Sequence, residues 1–312
     1  MQTGISVVIP IYNKESMLAS TLDSVVAQTV KPDAVILIDD GSHDRSAEIA
    51  EAYRSRLAGF VLERQENAGV SIARNRGVCK SNTPWIAFLD ADDLWHPNHV
   101  EALCRARAEH PEAGLIATSF EVLQEGASYQ PRADTLQPMR SRVIDYFQEL
   151  AVGRAPVWTS SAMISRTIFD QVGGFPIGVS RGEDLIVWAR ASLLTVVAIS
   201  CYVGAIYRRG TDTLSSSLIE EPDMAMTTYL AIAVDPDTPP VRANHAREAA
   251  SSQALANALD ALIAGRPDVA RRFLSFSAKS RRYRWRHQAV AALTRLPAPV
   301  SAGLLRWASA RR

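Results

Sequence analysis

The chain has 312 residues, 47% hydrophobic and 21% charged, with a formal net charge of +1. This is ordinary globular composition, enough for one large domain or two. Three cysteines, Cys79, Cys104 and Cys201, form no C-x-x-C pair, which excludes a disulfide framework and fits a reducing cytoplasm. The charge is unevenly spread. Residues 266–312 hold twelve Arg or Lys and one acid, so residues 1–265 carry 22 basic and 32 acidic side chains. A basic tail on an acidic body points to an anionic surface as partner.

Ile5–Ile9 is a continuous β-branched run, the pattern of a strand buried on both faces, and Pro10 is expected to break it. No basic n-region or cleavage site precedes it, so no signal peptide is expected. Ser16–Thr29 has helical spacing. Ala34–Ile38 reads as a second buried strand ending in Asp39-Asp40-Gly41-Ser42. A helix over 46–55, a short strand over 60–62, a turn at Asn67-Ala-Gly69, a helix over 70–80 and a strand over 85–89 follow. Strands alternating with helices predict a parallel sheet with crossover helices, whose ligands bind beyond the carboxyl ends of the strands. Tyr12, Asp39, Asp40 and Asp90–Asp93 fall at such ends and should meet on one rim.

Pro97–His110 reads as a helix, with His96 and His99 expected on loop and helix surface and Trp95 in the core. The polar stretch 126–142 reads as a surface excursion. Residues 191–207, the longest uncharged stretch, read as a helix end followed by a buried strand, too polar for a spanning helix. Beyond about residue 221 the pattern turns helical and Ala-rich. Basic helices over 281–296 and 302–311 are expected on either side of Pro297 and Pro299.

The sharpest local feature is Phe88-Leu89-Asp90-Ala91-Asp92-Asp93, an apolar run ending in carboxylates. Hard cations prefer oxygen ligands, and Mg²⁺ typically combines one or two carboxylates with substrate phosphates. The segments Val8-Ile-Pro-Ile-Tyr-Asn13, Ile38-Asp-Asp-Gly-Ser42, Asn67 to Gly77, Phe88 to Asp93, Gly173-Gly-Phe175, and Gly182-Glu-Asp184 with Trp188 and Arg190 together resemble the family 2 glycosyltransferases, in order and spacing, over about residues 4–216.

The resemblance implies the α/β GT-A fold, a Rossmann-like mixed sheet flanked by helices, here with a helical basic C-terminal extension. It implies residues 1–100 as a nucleotide-sugar-binding half, 101–220 as the acceptor half of the same domain, and 221–312 as the extension. It also implies inverting transfer of one sugar from a nucleotide-sugar donor, commonly UDP-linked, with a divalent metal, Mn²⁺ or Mg²⁺. Carried over position by position, Pro10, Tyr12 and Glu15 match the loop around the nucleoside, Asp39 the acid that binds the base, with Asp40 beside it, and Arg74 a basic residue at the nucleotide. Asp92 matches the metal ligand, with Asp93 beside it, and Asp90 and Asp93 lie around the donor sugar, ribose and metal, Asp90 on the nucleotide. Asp184 matches the general base and Glu183 its neighbour. Trp158 and Arg181 are candidates for the acceptor region, and Arg208 and Arg209 for the diphosphate. Family members often carry a His after the last sheet strand, where this chain has Tyr207-Arg208-Arg209-Gly210. The processive members' Gln-x-x-Arg-Trp motif is absent, which favours single-sugar transfer.

The expected acceptor is a glycan or lipid-linked glycan of the envelope or an exopolysaccharide. The expected location is cytoplasmic and peripheral, the basic tail meeting an anionic membrane; nucleic acid is not an expected partner. Two other classes compete. A sugar nucleotidyltransferase would need a Gly-rich basic loop after the first strand, where Pro10–Lys14 stands. A non-catalytic nucleotide-sugar-binding scaffold would dispense with Asp92 or Asp184, and both are present.

Overall fold

The computed structural model describes residues 3–123, 140–179, 181–208 and 219–309, with side chains to 306. Two compact units emerge, one of residues 1–144 and 156–211, the other of 145–155 and 212–312.

The first unit opens with β1 (Ile5–Ile11), α1 (Leu18–Val26), β2 (Ala34–Asp39), α2 (Ser46–Glu51), β3 (Val61–Arg64), α3 (Val70–Lys80) and β4 (Trp85–Phe88). It continues through β5 (Leu94–Trp95), α4 (His99–Glu109), β6 (Ala113–Leu123), β7 (Ser141–Ile144), a 3₁₀ turn at Thr159–Ser161, β8 (Ala162–Ser165), α6 (Arg166–Val172), α7 (Glu183–Leu194) and β9 (Val196–Arg208). The strands form a nine-stranded sheet in the order β3-β2-β1-β4-β8-β6-β9-β5, with β7 also paired to β9. The first four neighbours are parallel, β8 runs antiparallel to β4 and β6, and β9 returns parallel to β6.

The continuous apolar runs have the expected cause. Ile5, Val7, Ile9 and Ile11 enter the cluster with Leu18, Leu22, Val35, Leu37, Trp95 and Leu103. On the other face Phe88 meets Phe169, Phe175 and Trp188 at centroid distances of 5.1–6.1 Å. Both faces are therefore covered, as a parallel sheet requires.

Several boundaries differ from the sequence reading. Pro10 does not end β1; it pairs in register with Ile38. The β4 partner stops at Val8↔Phe88, so Pro10 stands where one side of the strand has no ladder to interrupt. The two-residue β5 was not anticipated. His96 and His99, expected on the surface, are 3% and 0% exposed. His96 Nε2 lies 3.1 Å from Glu121 Oε1. His99 stacks on Trp95 at 4.3 Å, and burial first, then His96, pushes its imidazole down to about 3, so it is neutral. Of the polar excursion, residues 126–139 lie outside the described residues.

The second unit is helical: α5 (Tyr146–Ala151), α8 (Met224–Val234), α9 (Pro240–Ile263), α10 (Pro267–Ser277), α11 (Arg284–Leu293) and α12 (Ala298–Ser309). Asp145 caps α5 through Gln148 N–H and pairs with His245 Nδ1 at 2.9 Å. Buried Glu248 on α9 accepts from Ser280 Oγ and Arg281 N–H, fixing the approach to α11. Pro299 falls inside the first turn of α12 rather than before it, a position where its missing N–H costs nothing.

Gly77 is the tightest helix–sheet contact bearing on the site: a Cβ there would stand 2.4 Å from Val8 Cγ1 and 3.4 Å from Ile38 Cγ1. Gly77→Val should destabilise the first unit by about 2–3 kcal/mol through overpacking, read as a lower denaturation midpoint; an unchanged midpoint would show that α3 can lift from the sheet without penalty.

Candidate active site

The rim begins where β1 and β2 end. Tyr12 is 43% exposed there. Asp39 is fully buried: Oδ1 accepts from Ser42 N–H at 3.0 Å, and Oδ2 lies 3.3 Å from Arg64 Nε without a well-formed hydrogen bond. Asp40 faces elsewhere. Its Oδ1 accepts from Gln65 Nε2 and Ala68 N–H, and its Oδ2 from Gly69 N–H, at 2.7–2.9 Å. Asp40 thus shapes the turn leading into α3, where Gly69 at φ +91° needs the freedom of glycine, and its oxygens are spent within the protein. Glu15 is also occupied, accepting from Arg45 N–H at the start of α2 at 3.1 Å.

Asp90, Asp92 and Asp93 follow β4 and meet three different environments. Asp90 accepts from Arg74 Nη2 at 2.7 Å. Burial raises the Asp90 carboxyl above its ordinary range; Arg74 opposes this and Asp92 adds to it. Asp93 is 1% exposed. Its Oδ2 accepts from Ser160 Oγ at 2.5 Å and Trp158 Nε1 at 3.0 Å, and its Oδ1 from Arg208 N–H at 3.1 Å. Burial, then Asp90 and Asp92, push it up to about 8. The expectation of Asp93 beside a metal meets a closed cage, in which every donor is the protein's own. Asp92 keeps an open side; its carboxylate pairs with Lys14 Nζ at 2.6 Å.

Arg74 is 4% exposed and joins two sides of the site. Its Nη2 reaches Asp90, its Nη1 reaches Glu183 Oε1 at 2.7 Å, and the guanidinium lies 5.0 Å from the Phe175 ring centroid. Burial works against its charge, but Asp90 and Glu183 more than offset this and hold it above the ordinary value. Gly182, at φ +73°, turns the chain into α7, so Glu183 and Asp184 occupy the first turn. Asp184 Oδ2 accepts from Thr159 Oγ1 at 2.7 Å and Oδ1 from Leu185 N–H at 2.8 Å. Burial, then Glu183, push Asp184 up to about 6, against Arg74 and Thr159.

The remaining candidates divide. Trp158, half-buried, packs against Tyr207 and Phe120 while holding Asp93. Arg208 braces the site from β9: its Nε donates to Asp92 O, and its guanidinium reaches Ser20, Thr21 and Met17 on the α1 side. Burial lowers Arg208 from its ordinary value, with Asp92 and Asp93 resisting. Arg181 is half-buried just ahead of α7. Arg209 lies outside the described residues. Sequence reasoning missed Lys14, Thr159 and Ser160. The last two stand in the Val157–Ser161 segment noticed for its tryptophan, but no local signal marks a hydroxyl that bonds a carboxylate 25 or 67 positions away.

Acids at the strand ends thus face a second carboxylate pair across one buried arginine. Residues 6–173 match the model for glycosyl transferase family 2, and the chain belongs to that family. The uncharacterized glycosyltransferase YibD of Escherichia coli is 33% identical over 162 residues, 52% of this chain and 44% of that protein. The uncharacterized glycosyltransferase EpsJ of Bacillus subtilis is 40% identical over 116 residues, 37% of this chain and 33% of that protein. The alignments thus span less than half the length of these curated relatives. Among solved structures, TarS 1–349 of S. aureus in complex with UDP-GlcNAc superposes at a TM-score of 0.69 with 16% identity, covering 97% of this chain and 88% of that one. The mannosyltransferase PcManGT of Pyrobaculum calidifontis, in complex with GDP-Man and Mn²⁺, does so at 0.57 with 17% identity, covering 97% and 84%. These likenesses establish the GT-A type of fold.

Removing the Arg74 charge leaves Asp90 and Glu183 without their partner. Arg74→Met should lose about 3–5 kcal/mol of stability, with Arg74→Lys recovering part, since one ammonium cannot reproduce a two-armed guanidinium. Urea unfolding at neutral pH reads both; a stable Arg74→Met protein would mean the two carboxylates find other partners.

Proposed function

We propose that this chain transfers one sugar, with inversion, from a nucleoside-diphosphate sugar, UDP-linked by preference, to a hydroxyl of a glycan or lipid-linked glycan. The observation that carries the reading is the placement of Asp184: a half-buried carboxylate at the start of α7, oriented by Thr159 and Leu185 N–H and tuned to about 6.

In this reading Asp39 Oδ2, buried and without a well-formed hydrogen bond, accepts from the N–H of the nucleobase, and Tyr12 covers the ring. The acceptor hydroxyl lies against Asp184 Oδ2. Its oxygen attacks the anomeric carbon on the face opposite the leaving diphosphate, and its proton passes to Asp184. Asp184 is ionised at neutral pH, yet its pKa is close enough to the working pH for proton acceptance to be effective.

A divalent cation, Mn²⁺ or Mg²⁺, fits this donor set in one way. Among the described residues no group of three or more His, Cys, Asp or Glu is placed to hold a metal. Asp92 is the acid of the cluster with an open side, and hard oxygen from one carboxylate plus substrate phosphates suits Mg²⁺. When bound, the cation supplies Lewis-acid stabilisation of the leaving diphosphate.

Asp184→Asn tests the base. Turnover should fall about 10²–10⁴-fold, while calorimetric affinity for UDP with Mn²⁺ stays within about twofold of wild type. In the wild type kcat/KM should rise with pH through about 6 and level off above, because the ionised form is the active one. A donor-dependent transfer that survives the substitution would remove Asp184 from the chemistry. Absence of binding to UDP, dTDP and GDP alike would overturn the donor reading itself.

The location we propose is the face of an anionic membrane. No helix among the described residues is long and apolar enough to cross one. Around α11, Arg281, Arg282, Arg284 and Arg286 are all exposed, and Trp285 among them is 74% exposed. Cations that reach lipid headgroups, interleaved with an aromatic that enters the interface, suit anionic lipid. Co-sedimentation with phosphatidylglycerol vesicles should be strong at low salt and fall at least about fivefold in Arg281→Glu/Arg284→Glu/Trp285→Ala. Equal binding by that variant would place the contact elsewhere.

A further inference from the structure

The one non-glycine residue with positive φ among the described residues is Asn13, at φ +51°. A left-handed backbone is uncommon outside glycine and is tolerated by asparagine when its side chain bonds locally. Here Asn13 is held on both sides: its N–H donates to Ser42 Oγ at 3.1 Å, and its Oδ1 accepts from His43 N–H at 2.9 Å. The next residue is pinned as well. Lys14 N–H donates to Ser46 Oγ at 2.8 Å, and Lys14 O accepts from Leu18 N–H at 2.8 Å as α1 begins.

The turn therefore fixes where the Lys14 side chain starts, and that side chain crosses to Asp92, Nζ to Oδ2 at 2.6 Å. The pair is half-open, 35% and 21% exposed, so the ammonium can leave without unfolding anything. Arg208 Nε, donating to the Asp92 carbonyl, meanwhile holds the Asp92 backbone in place.

We propose that Lys14 is a two-position cation. It neutralises Asp92 while the donor site is empty, and it swings onto a phosphate oxygen of the nucleoside diphosphate when the donor arrives. The inference rests on the donor reading above and adds a residue to it. Carboxylates at 90 and 92 repel one another and any incoming diphosphate; Arg74 answers Asp90 and Lys14 answers Asp92, while Asp93 is enclosed by the protein's own donors. A diphosphate that enters must meet either a cation of its own at Asp92 or the released lysine. A flexible ammonium with three donors suits phosphate at either end of its swing.

The two positions compete, so the substitutions must couple. The test is calorimetric titration of UDP in EDTA into wild type, Asp92→Asn, Lys14→Met and the double variant, each checked for an unchanged melting temperature. Asp92→Asn frees the lysine and should tighten metal-free UDP binding about five- to tenfold, the scale of a half-exposed charge pair. Lys14→Met should weaken it. In the Lys14→Met background the gain from Asp92→Asn should fall below about twofold, and Lys14→Arg should restore most of it. An equal gain in both backgrounds would overturn the proposal, since Asp92 would then act by repulsion alone. If wild type binds UDP neither in EDTA nor with Mn²⁺, the donor reading itself fails, a result distinct from additivity.

Discussion

One buried guanidinium organises this site. Arg74 is almost fully enclosed, yet it is charged, and the two carboxylates it touches come from opposite sides: Asp90 from the end of β4 and Glu183 from the first turn of α7. A buried ion of this kind persists only when its partners are held in good geometry. The surrounding structure supplies that hold. Gly77, one turn further along α3, lets the helix sit directly on Val8 and Ile38. Asn75 exchanges two hydrogen bonds with the backbone of Phe175, at 2.8 and 2.9 Å, and Phe175 lies against the guanidinium. Asp40 caps the turn that starts the same helix. Sheet, helix and acceptor-side loop are thereby registered to one another through three adjacent turns of α3.

The three acids after β4 show how environment, not residue type, distributes roles. Asp93 is sealed among Ser160, Trp158 and the Arg208 backbone and is raised to about 8. It serves as a structural hub joining β4, β9 and the 3₁₀ turn. Asp90 shares the Arg74 charge. Asp92 retains solvent on one side. Crowding like charges is costly, and the cost is met by giving each carboxylate a different answer.

Much of this was legible in the chain. The buried β-branched runs, the acids at strand ends and the α3 boundaries at 70 and 80 follow from pattern alone. The family resemblance singled out Asp184 and Glu183; that they stand in the first turn of a helix is the structure's own finding. What the pattern could not yield is a partner far away in sequence. Asp40 and Asp39 are neighbours with the same chemistry, and only the folded turn at 67–69 separates an acid with both oxygens hydrogen-bonded from one with Oδ2 left without a hydrogen bond. His96 and His99 looked polar and local; they are buried because β9 returns beside β5 and closes over them. Pro10 was read as a breaker because its strand partner's early end at Phe88 is a property of the sheet, not of the proline.

The shared arginine has a consequence for how the two halves of a transfer reaction stay in step. Asp184 owes its raised pKa to burial and to Glu183, and the cation opposing that rise is Arg74. Arg74 is in turn drawn toward Asp90 on the side where a donor's phosphates would lie. Charge beside Asp90 acts on the same guanidinium that opposes the rise at Asp184, so the two sides of the rim are electrostatically linked through Arg74. In a medium of low effective dielectric such couplings carry over several ångströms. A buried cation can therefore act on the acids at both sides of it, and Arg74, enclosed on α3, has Asp90 on one side and Glu183 on the other.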